Sequence, residues 1–264
     1  MSSIINRVYC ELSLYYELRD GVIKTDYYKD YLVEQLPCVM NELLKKKRKN
    51  LKVLDIATGH GYTATIMAKY YEAHIKKVVA YDINPQAVEL AKRNAQRNNC
   101  NIRLIDFRIG SIYEPLRKKE KFDIILSALP PVPITSKELQ NLPDEVRLHH
   151  WISSTAGTTG RELLDQMIEG AYQKLNHGGI VLTAQADFQD STSKTLDVMK
   201  NYGLKGKLVG KSRSKKLKET RLTFLRREAI MNLGYRFTKD KDGDEQFYIA
   251  IYRGKKSHKP LYTV

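Results

Sequence analysis

Two carboxylates and two glycines carry the strongest chemical signal in the chain. Residues 53–64 read Val-Leu-Asp-Ile-Ala-Thr-Gly-His-Gly-Tyr-Thr-Ala: an apolar run enters a tight turn at Gly59 and Gly61 and then turns helical. Glycine at such a turn permits positive φ and lets a ligand approach the backbone with no Cβ in the way. Asp55 stands just before the turn, where a carboxylate can engage an ammonium group. Asp82 follows Gly59 by 23 residues and closes the next apolar run, a position from which a carboxylate can bind the hydroxyls of a ribose. The helix that starts after the turn offers unpaired N–H groups to an anionic end of the ligand. These residues together fit a nucleoside cofactor.

Which nucleoside depends on the neighbours. The run from Gly59 to Ala64 also satisfies the dinucleotide pattern G-x-G-x-x-G/A, so a nicotinamide cofactor must be weighed. Such a loop usually has no acid at the place of Asp55. The segment Phe122-Asp-Ile-Ile-Leu-Ser-Ala-Leu-Pro-Pro-Val132 ends in a Pro-Pro turn that has no role in hydride transfer. The balance favours S-adenosyl-L-methionine (SAM), whose amino-acid end brings an ammonium to Asp55 and a carboxylate to the helix start. Each acid also has a purely structural reading, Asp55 as a pin for the turn and Asp82 as a helix cap. His149, His150 and Trp151 lie beyond the Pro-Pro turn; one histidine there can serve as a general base, or the pair is a partly exposed loop. Tyr27 and Tyr28 either close over the cofactor or belong to the core.

The elements that must hold these groups follow from the apolar spacing. Leu32, Leu36, Val39, Leu43 and Leu44 predict a helix over residues 26–48, kinked or split at Pro37. Strands are expected at Leu51–Ile56, 77–81, 102–107, Phe122–Ser127 and 180–185. Helices are expected at 63–71, at 85–98 with Asn84 as cap and Pro85 in the first turn, and at 160–175, closed by Asn176-His-Gly-Gly179. Strand and helix in alternation imply an α/β fold, a Rossmann-like doubly wound sheet that is mostly parallel. Near the C-terminus a helix at 222–233, the turn Asp242-Gly243-Asp244 and a strand at 246–252 add an antiparallel hairpin at the sheet's edge.

Composition narrows the setting. The chain has 264 residues, 42% of them hydrophobic, enough for one large α/β domain with an N-terminal extension. No apolar run approaches the roughly 18 residues that cross a bilayer, and residues 1–16 lack the apolar core of a signal peptide, so a cytoplasmic protein without membrane partners is expected. Cys10, Cys38 and Cys100 have neither disulfide nor metal-ligand spacing, so no metal is expected. The net charge of +15 is uneven: residues 201–264 hold 17 Lys and Arg against 6 Asp and Glu, the first 200 residues 28 against 24. A basic C-terminal third can steer the protein onto RNA, or it is a solvated lysine surface. Few aromatics interrupt the basic residues from Lys205 to Arg227, which argues against a base-stacking platform.

From about residue 51 to 185 the chain resembles the class I SAM-dependent methyltransferases. Within them it is most similar to the branch that contains release-factor glutamine methyltransferases and N6-adenine methyltransferases. The resemblance rests on the glycine turn, on Gly110-Ser-Ile-Tyr-Glu-Pro-Leu116, on the 122–132 segment and on Gly157-Thr-Thr-Gly-Arg-Glu-Leu-Leu164. It implies a methyltransferase domain over residues 51–264 behind a helical extension over 1–50. It further implies that Asp55, Ala57, Thr58, Gly59 and Gly61 line the methionine side of SAM and that Asp82 holds the ribose. Ile83 would lie on the adenine face, with Ser111 and Ile112 at its edge. Ser127 would sit beside the methyl group, and Ala128, Leu129, Pro130, Pro131 and Val132, with His150 beyond them, would face the acceptor.

Three departures stand out. Ala57 occupies a place where the family often has Gly, a change that suits a negative φ. Ser111 replaces the Asp that usually meets the adenine amino group. The family's Asn/Asp-Pro-Pro-aromatic loop, which holds a planar NH2, reads Leu129-Pro130-Pro131-Val132 here, so the usual geometry for an amide or exocyclic amine is missing. The acceptor thus stays open between RNA or a nucleic-acid-associated protein and a small amino-acid-like molecule, with a non-catalytic SAM-binding protein as a third reading.

Overall fold

Strands flanked by helices on both faces run largely apolar, and Leu51–Ile56 and Phe122–Ser127 are an inner pair of such a sheet. The computed structural model describes residues 2–20, 22, 27–45, 49–144, 155–189 and 192–257. The chain begins with β1 (Ser2–Tyr9), β2 (Leu12–Arg19), α1 (Tyr27–Glu34) and α2 (Leu36–Lys45). The sheet core follows as β3 (Leu51–Ile56), α3 (Tyr62–Lys69), β4 (Ile75–Asp82), α4 (Pro85–Arg97), β5 (Ile105–Ile109) and β6 (Phe122–Ser127). Next are α5 (Ser136–Gln140), α6 (Glu162–Lys174), β7 (Leu175–Ala186), α7 (Thr192–Asn201), β8 (Leu204–Lys211) and β9 (Lys215–Lys216). The last described elements are α8 (Arg221–Leu225), α9 (Arg227–Asn232), β10 (Thr238–Lys239), β11 (Glu245–Phe247) and β12 (Ile249–Lys256).

Seven strands form the central sheet in the order β5-β4-β3-β6-β7-β12-β8. From β5 to β7 all pairs are parallel. β12 runs antiparallel to both β7 and β8. The order reverses between β3 and β6, so the carboxyl ends of β3, β4 and β6 surround the crevice where doubly wound sheets bind ligands. One apolar layer packs α1, α2 and α3 with the hairpin β1–β2 against the sheet. The other packs α6 and the strands' opposite side chains, including Leu54, Ile125 and Val181.

Several expectations need correction. The first part of the supposedly helical 1–50 segment is the β1–β2 hairpin, closed by Cys10 and Glu11 with φ of +44° and +68°. Two asparagines of α4 satisfy its outer backbone: Asn94 Oδ1 accepts from Glu17 N and its Nδ2 donates to Glu17 O and His60 O, while Asn98 makes the matching pair with Tyr15. An amide side chain presents one donor and one acceptor, as a neighbouring strand would. Pro37 does split its helix: α1 ends at Glu34, and Pro37 sits in the first turn of α2, where a missing N–H is harmless. Residues 176–179 lie inside β7 rather than in a turn, and 102–104 form a single 3-10 turn before β5. The helix expected at 222–233 is two short ones. The hairpin around Gly243 joins β10 to β11 in a separate small sheet with β9, while β12 enters the main sheet.

Candidate cofactor and acceptor site

The turn after β3 is built from left-handed residues. Ala57, Gly59 and Gly61 have φ of +56°, +58° and +87°. Ala57 therefore does not have the negative φ that its side chain prefers; the departure from glycine is carried as strain of about 1 kcal/mol. Ala57→Gly is expected to raise the thermal unfolding midpoint by up to a few degrees; a lower midpoint would show that the left-handed alanine carries no strain. The turn is held by Thr58 N donating to Tyr81 O at 2.8 Å and by Gly61 N donating to Thr58 O at 3.0 Å. Buried Asp55 accepts a 2.7 Å bond from the Thr58 hydroxyl.

Asp82, at the end of β4, is 6% exposed. Its carboxylate accepts from Gly59 N at 2.9 Å and from Asn84 N at 3.0 Å, so it ties the glycine turn to the start of α4. Asn84 itself caps α4 through Gln86 N. Asp82 is thus not the helix cap foreseen, a place that Asn84 takes, but a tie between the two turns, and its bonds from backbone N–H groups do not fill a carboxylate's roughly four acceptor positions. Burial pushes its pKa up, against the pull of the N–H groups of Asn84 and Gly59 and of Lys29. Beside it Ile83 is 44% exposed, an apolar face turned to solvent at the end of a buried strand. Gly110 N donates to Asp82 O, which brings the turn containing Ser111 and Ile112 alongside. Ile112 has φ +44°, an outlier for a β-branched residue, and such strain is found preferentially at ligand sites.

Ser127 ends β6 next to Thr183 of β7. Its buried hydroxyl has no hydrogen-bond partner among the described residues. After it, Leu129 and Val132 are buried while Ala128, Pro130 and Pro131 are half-buried. This apolar loop is pinned from two sides. Ile134 bridges to Gly157, and Arg226 donates to Pro133 O at 3.0 Å while pairing with Glu138 at 2.7 Å. Val132 and Ile134 pack with Leu222, Ile230 and Phe247, so the C-terminal elements back this loop. The structure therefore brings together Asp55, Ala57, Thr58, Gly59, Gly61, Asp82, Ile83, Ser111 and Ile112 around one end of the sheet, with Ser127 and the loop from Ala128 to Val132 beside them. His149, His150 and Trp151 lie outside the described residues.

The pattern reading missed two groups. His60, between the glycines, is buried against Tyr16 and Tyr62; burial, with the Lys29 and Arg7 charges, holds its pKa down to about 3, so it is a neutral core imidazole. Lys29 of α1 is 1% exposed and donates to Ala57 O at 2.7 Å. A signal for it exists in the sequence: Lys29 opens the helical stripe Lys29, Leu32, Val33, Leu36, where an apolar residue is expected. Tyr28 packs half-buried against the core.

The basic segment is less free than its composition suggests. Lys216 and Lys218 pair with Asp244, Arg227 with Glu245, and Arg226 with Glu138. Lys205, Lys207 and Arg213 stand exposed along or just beyond the edge strand β8. No helix among the described residues is long and apolar enough to cross a membrane.

Residues 47–220 match a family described as "Methyltransferase domain". A Methanocaldococcus jannaschii protein, named as a candidate protein N5-glutamine methyltransferase, is 33% identical over 157 residues, which is 60% of this chain and 72% of that one. The release factor glutamine methyltransferase of Geobacter sulfurreducens is 32% identical over 142 residues, 53% of this chain but only 47% of its own length. Among solved structures, the T. thermophilus 16S rRNA N2 G1207 methyltransferase in complex with AdoMet and guanosine has a TM-score of 0.58 at 11% identity, covering 97% of this chain and 51% of that one. At that identity the likeness shows the fold alone.

Proposed function

The chain belongs to the class I SAM-dependent methyltransferases, and from that premise we propose that it methylates a macromolecule of the RNA-bound machinery, an RNA or a protein carried on one. SAM is its cofactor, and when bound it supplies a methyl group made electrophilic by the sulfonium. The residues around the sheet's carboxyl end suit that molecule. Asp82 keeps acceptor capacity for a ribose diol, exposed Ile83 offers an apolar surface to adenine, and Ser111 and Ile112 close its edge. Asp55, Ala57, Thr58, Gly59 and Gly61 form the turn for the amino-acid end. Ser127, with its unsatisfied hydroxyl, stands where the methyl group would meet Ala128, Leu129, Pro130, Pro131 and Val132. That loop works by exclusion: it removes water and aligns an acceptor in line with the S–CH3 bond, the main demand of such a transfer. The 1–50 extension and the 51–264 domain are kept as its two parts.

The observation that favours a macromolecular acceptor is the exposed basic row Lys205, Lys207 and Arg213 beside β8, which survives after the inner cations are paired off. The relatives named for glutamine methylation act on proteins, in keeping with this choice. The apolar loop, without a polar holder for an NH2, favours the second reading, a small amino-acid-like acceptor in a cytoplasmic setting. Incubation with methyl-labelled SAM and a cell extract, split by molecular size, separates the two. Label is expected in the macromolecular fraction, with retention on RNA that falls steeply as salt rises. Label confined to small molecules would reverse the choice, and an absence of S-adenosylhomocysteine formation with any fraction would leave only a binding protein.

A further inference from the structure

Lys29 is the buried charge that the reading above leaves unused. An ammonium at 1% exposure is costly unless anionic or carbonyl groups surround it. Its Nζ bonds Ala57 O at 2.7 Å and lies 3.7 Å from the point where a side chain on Gly59 would begin. It therefore lies buried beneath the glycine turn, in contact with the space that a side chain on Gly59 would fill. Three of the turn's own donors are committed elsewhere: Thr58 N to Tyr81 O, Gly59 N to Asp82, and Gly61 N to Thr58 O. A ligand carboxylate arriving at the turn cannot claim those three N–H groups, whereas an ammonium beside them can offer it a charge-assisted bond. Charge balance agrees. Asp55, Asp82 and Lys29 sum to one negative charge when all are ionised, and SAM carries one net positive charge.

We propose that Lys29 is a cofactor-contacting residue whose ammonium takes the carboxylate of the methionine moiety. The proposal rests on the SAM reading of this site. It makes α1, an element outside the glycine turn, part of the binding surface.

The test compares SAM with decarboxylated SAM, which keeps the amine and the sulfonium, by calorimetry on the full chain. Wild type is expected to prefer SAM by about tenfold or more, the worth of one charge-assisted bond. Lys29→Gln can still donate to Ala57 O but has no charge; it and Lys29→Met should lose about tenfold for SAM and change by less than about twofold for the decarboxylated compound. Lys29→Arg, which keeps the charge, should keep the preference and serves as the reading if the neutral variants do not fold. Equal weakening toward both ligands, or recovery of SAM affinity in Lys29→Gln, would assign Lys29 to support of the Ala57 carbonyl and overturn the proposal. Tighter SAM binding by Lys29→Met would overturn it too, by marking the ammonium as an obstacle. Wild type binding neither ligand would sink the SAM reading itself, and this proposal with it.

Discussion

Asp82→Asn is expected to lower the affinity for SAM by about 100-fold, read by calorimetry, while the unliganded unfolding midpoint drops by only a few degrees. Asparagine matches aspartate in size but offers one carbonyl oxygen, enough to keep either Gly59 N or Asn84 N, not both and a diol as well. The fold loses one N–H bond but is relieved of a buried charge, whereas the ligand loses two charge-assisted bonds with nothing in return. The pH dependence follows from burial, which raises the Asp82 pKa. A cation bound nearby favours the ionised acid, so SAM affinity is fully developed above the pKa of the free protein and declines as pH falls through it. For the unliganded fold the sign is opposite. A carboxyl raised by burial contributes stability below its unfolded pKa, and that stability is lost as pH rises through the folded value. The Asn variant should show neither slope. Unchanged affinity in Asp82→Asn would leave Asp82 with its structural role alone.

The sequence announced the centre of this molecule and hid its rim. Leu51–Ile56 and Phe122–Ser127 are mostly apolar runs, and the structure starts and stops both strands at those residues because all but the second residue of each is buried. Asn84-Pro85 marks a helix start unambiguously, since cap and fixed φ act within two residues. The β1–β2 hairpin carried no such mark. Its two-residue turn needs positive φ twice and is normally written Asn-Gly or Asp-Gly, but here it reads Cys10-Glu11. β8 was illegible for a different reason: Leu-Lys-Gly-Lys-Leu-Val-Gly-Lys lacks an apolar face because an edge strand is defended by lysines, not buried.

The same distinction governs the site. Asp55, Gly59, Gly61 and Asp82 announce themselves through local turn chemistry, whereas Lys29 reaches the turn from another element and Arg226 meets the Pro-Pro loop from 93 residues away. Charge counting also overstates what it sees. The acidic turn around Gly243 sits next to β9 once the small sheet forms, and it neutralises Lys216 and Lys218, which the linear count assigns to a partner.

The two glycines of the turn should separate cleanly when each is changed to alanine, and the larger stability effect belongs to Gly61→Ala. A Cβ on Gly61 would lie 2.9 Å from the Cα and Cβ of Ala91 and 3.1 Å from its carbonyl oxygen, contacts with helix backbone that cannot rotate away. Left-handed strain at φ +87° adds about 1 kcal/mol to an overpacking cost of about 1–3 kcal/mol. The sum is about 2–4 kcal/mol, a fall of roughly 5–15 °C in the unfolding midpoint. A Cβ on Gly59 meets only the Lys29 ammonium at 3.7 Å, an ordinary contact, so Gly59→Ala bears the strain alone and should melt within a few degrees of wild type. Its new methyl group, however, would project into the space proposed for the cofactor, and SAM affinity is where its cost should appear. Gly61 is thus glycine because α4 crosses the turn at contact distance, whereas Gly59 has open space beside it that the proposed cofactor would use. Parallel melting and titration of the two variants decide it: equal melting losses, or intact SAM binding in Gly59→Ala, would show that neither glycine is kept open for a ligand.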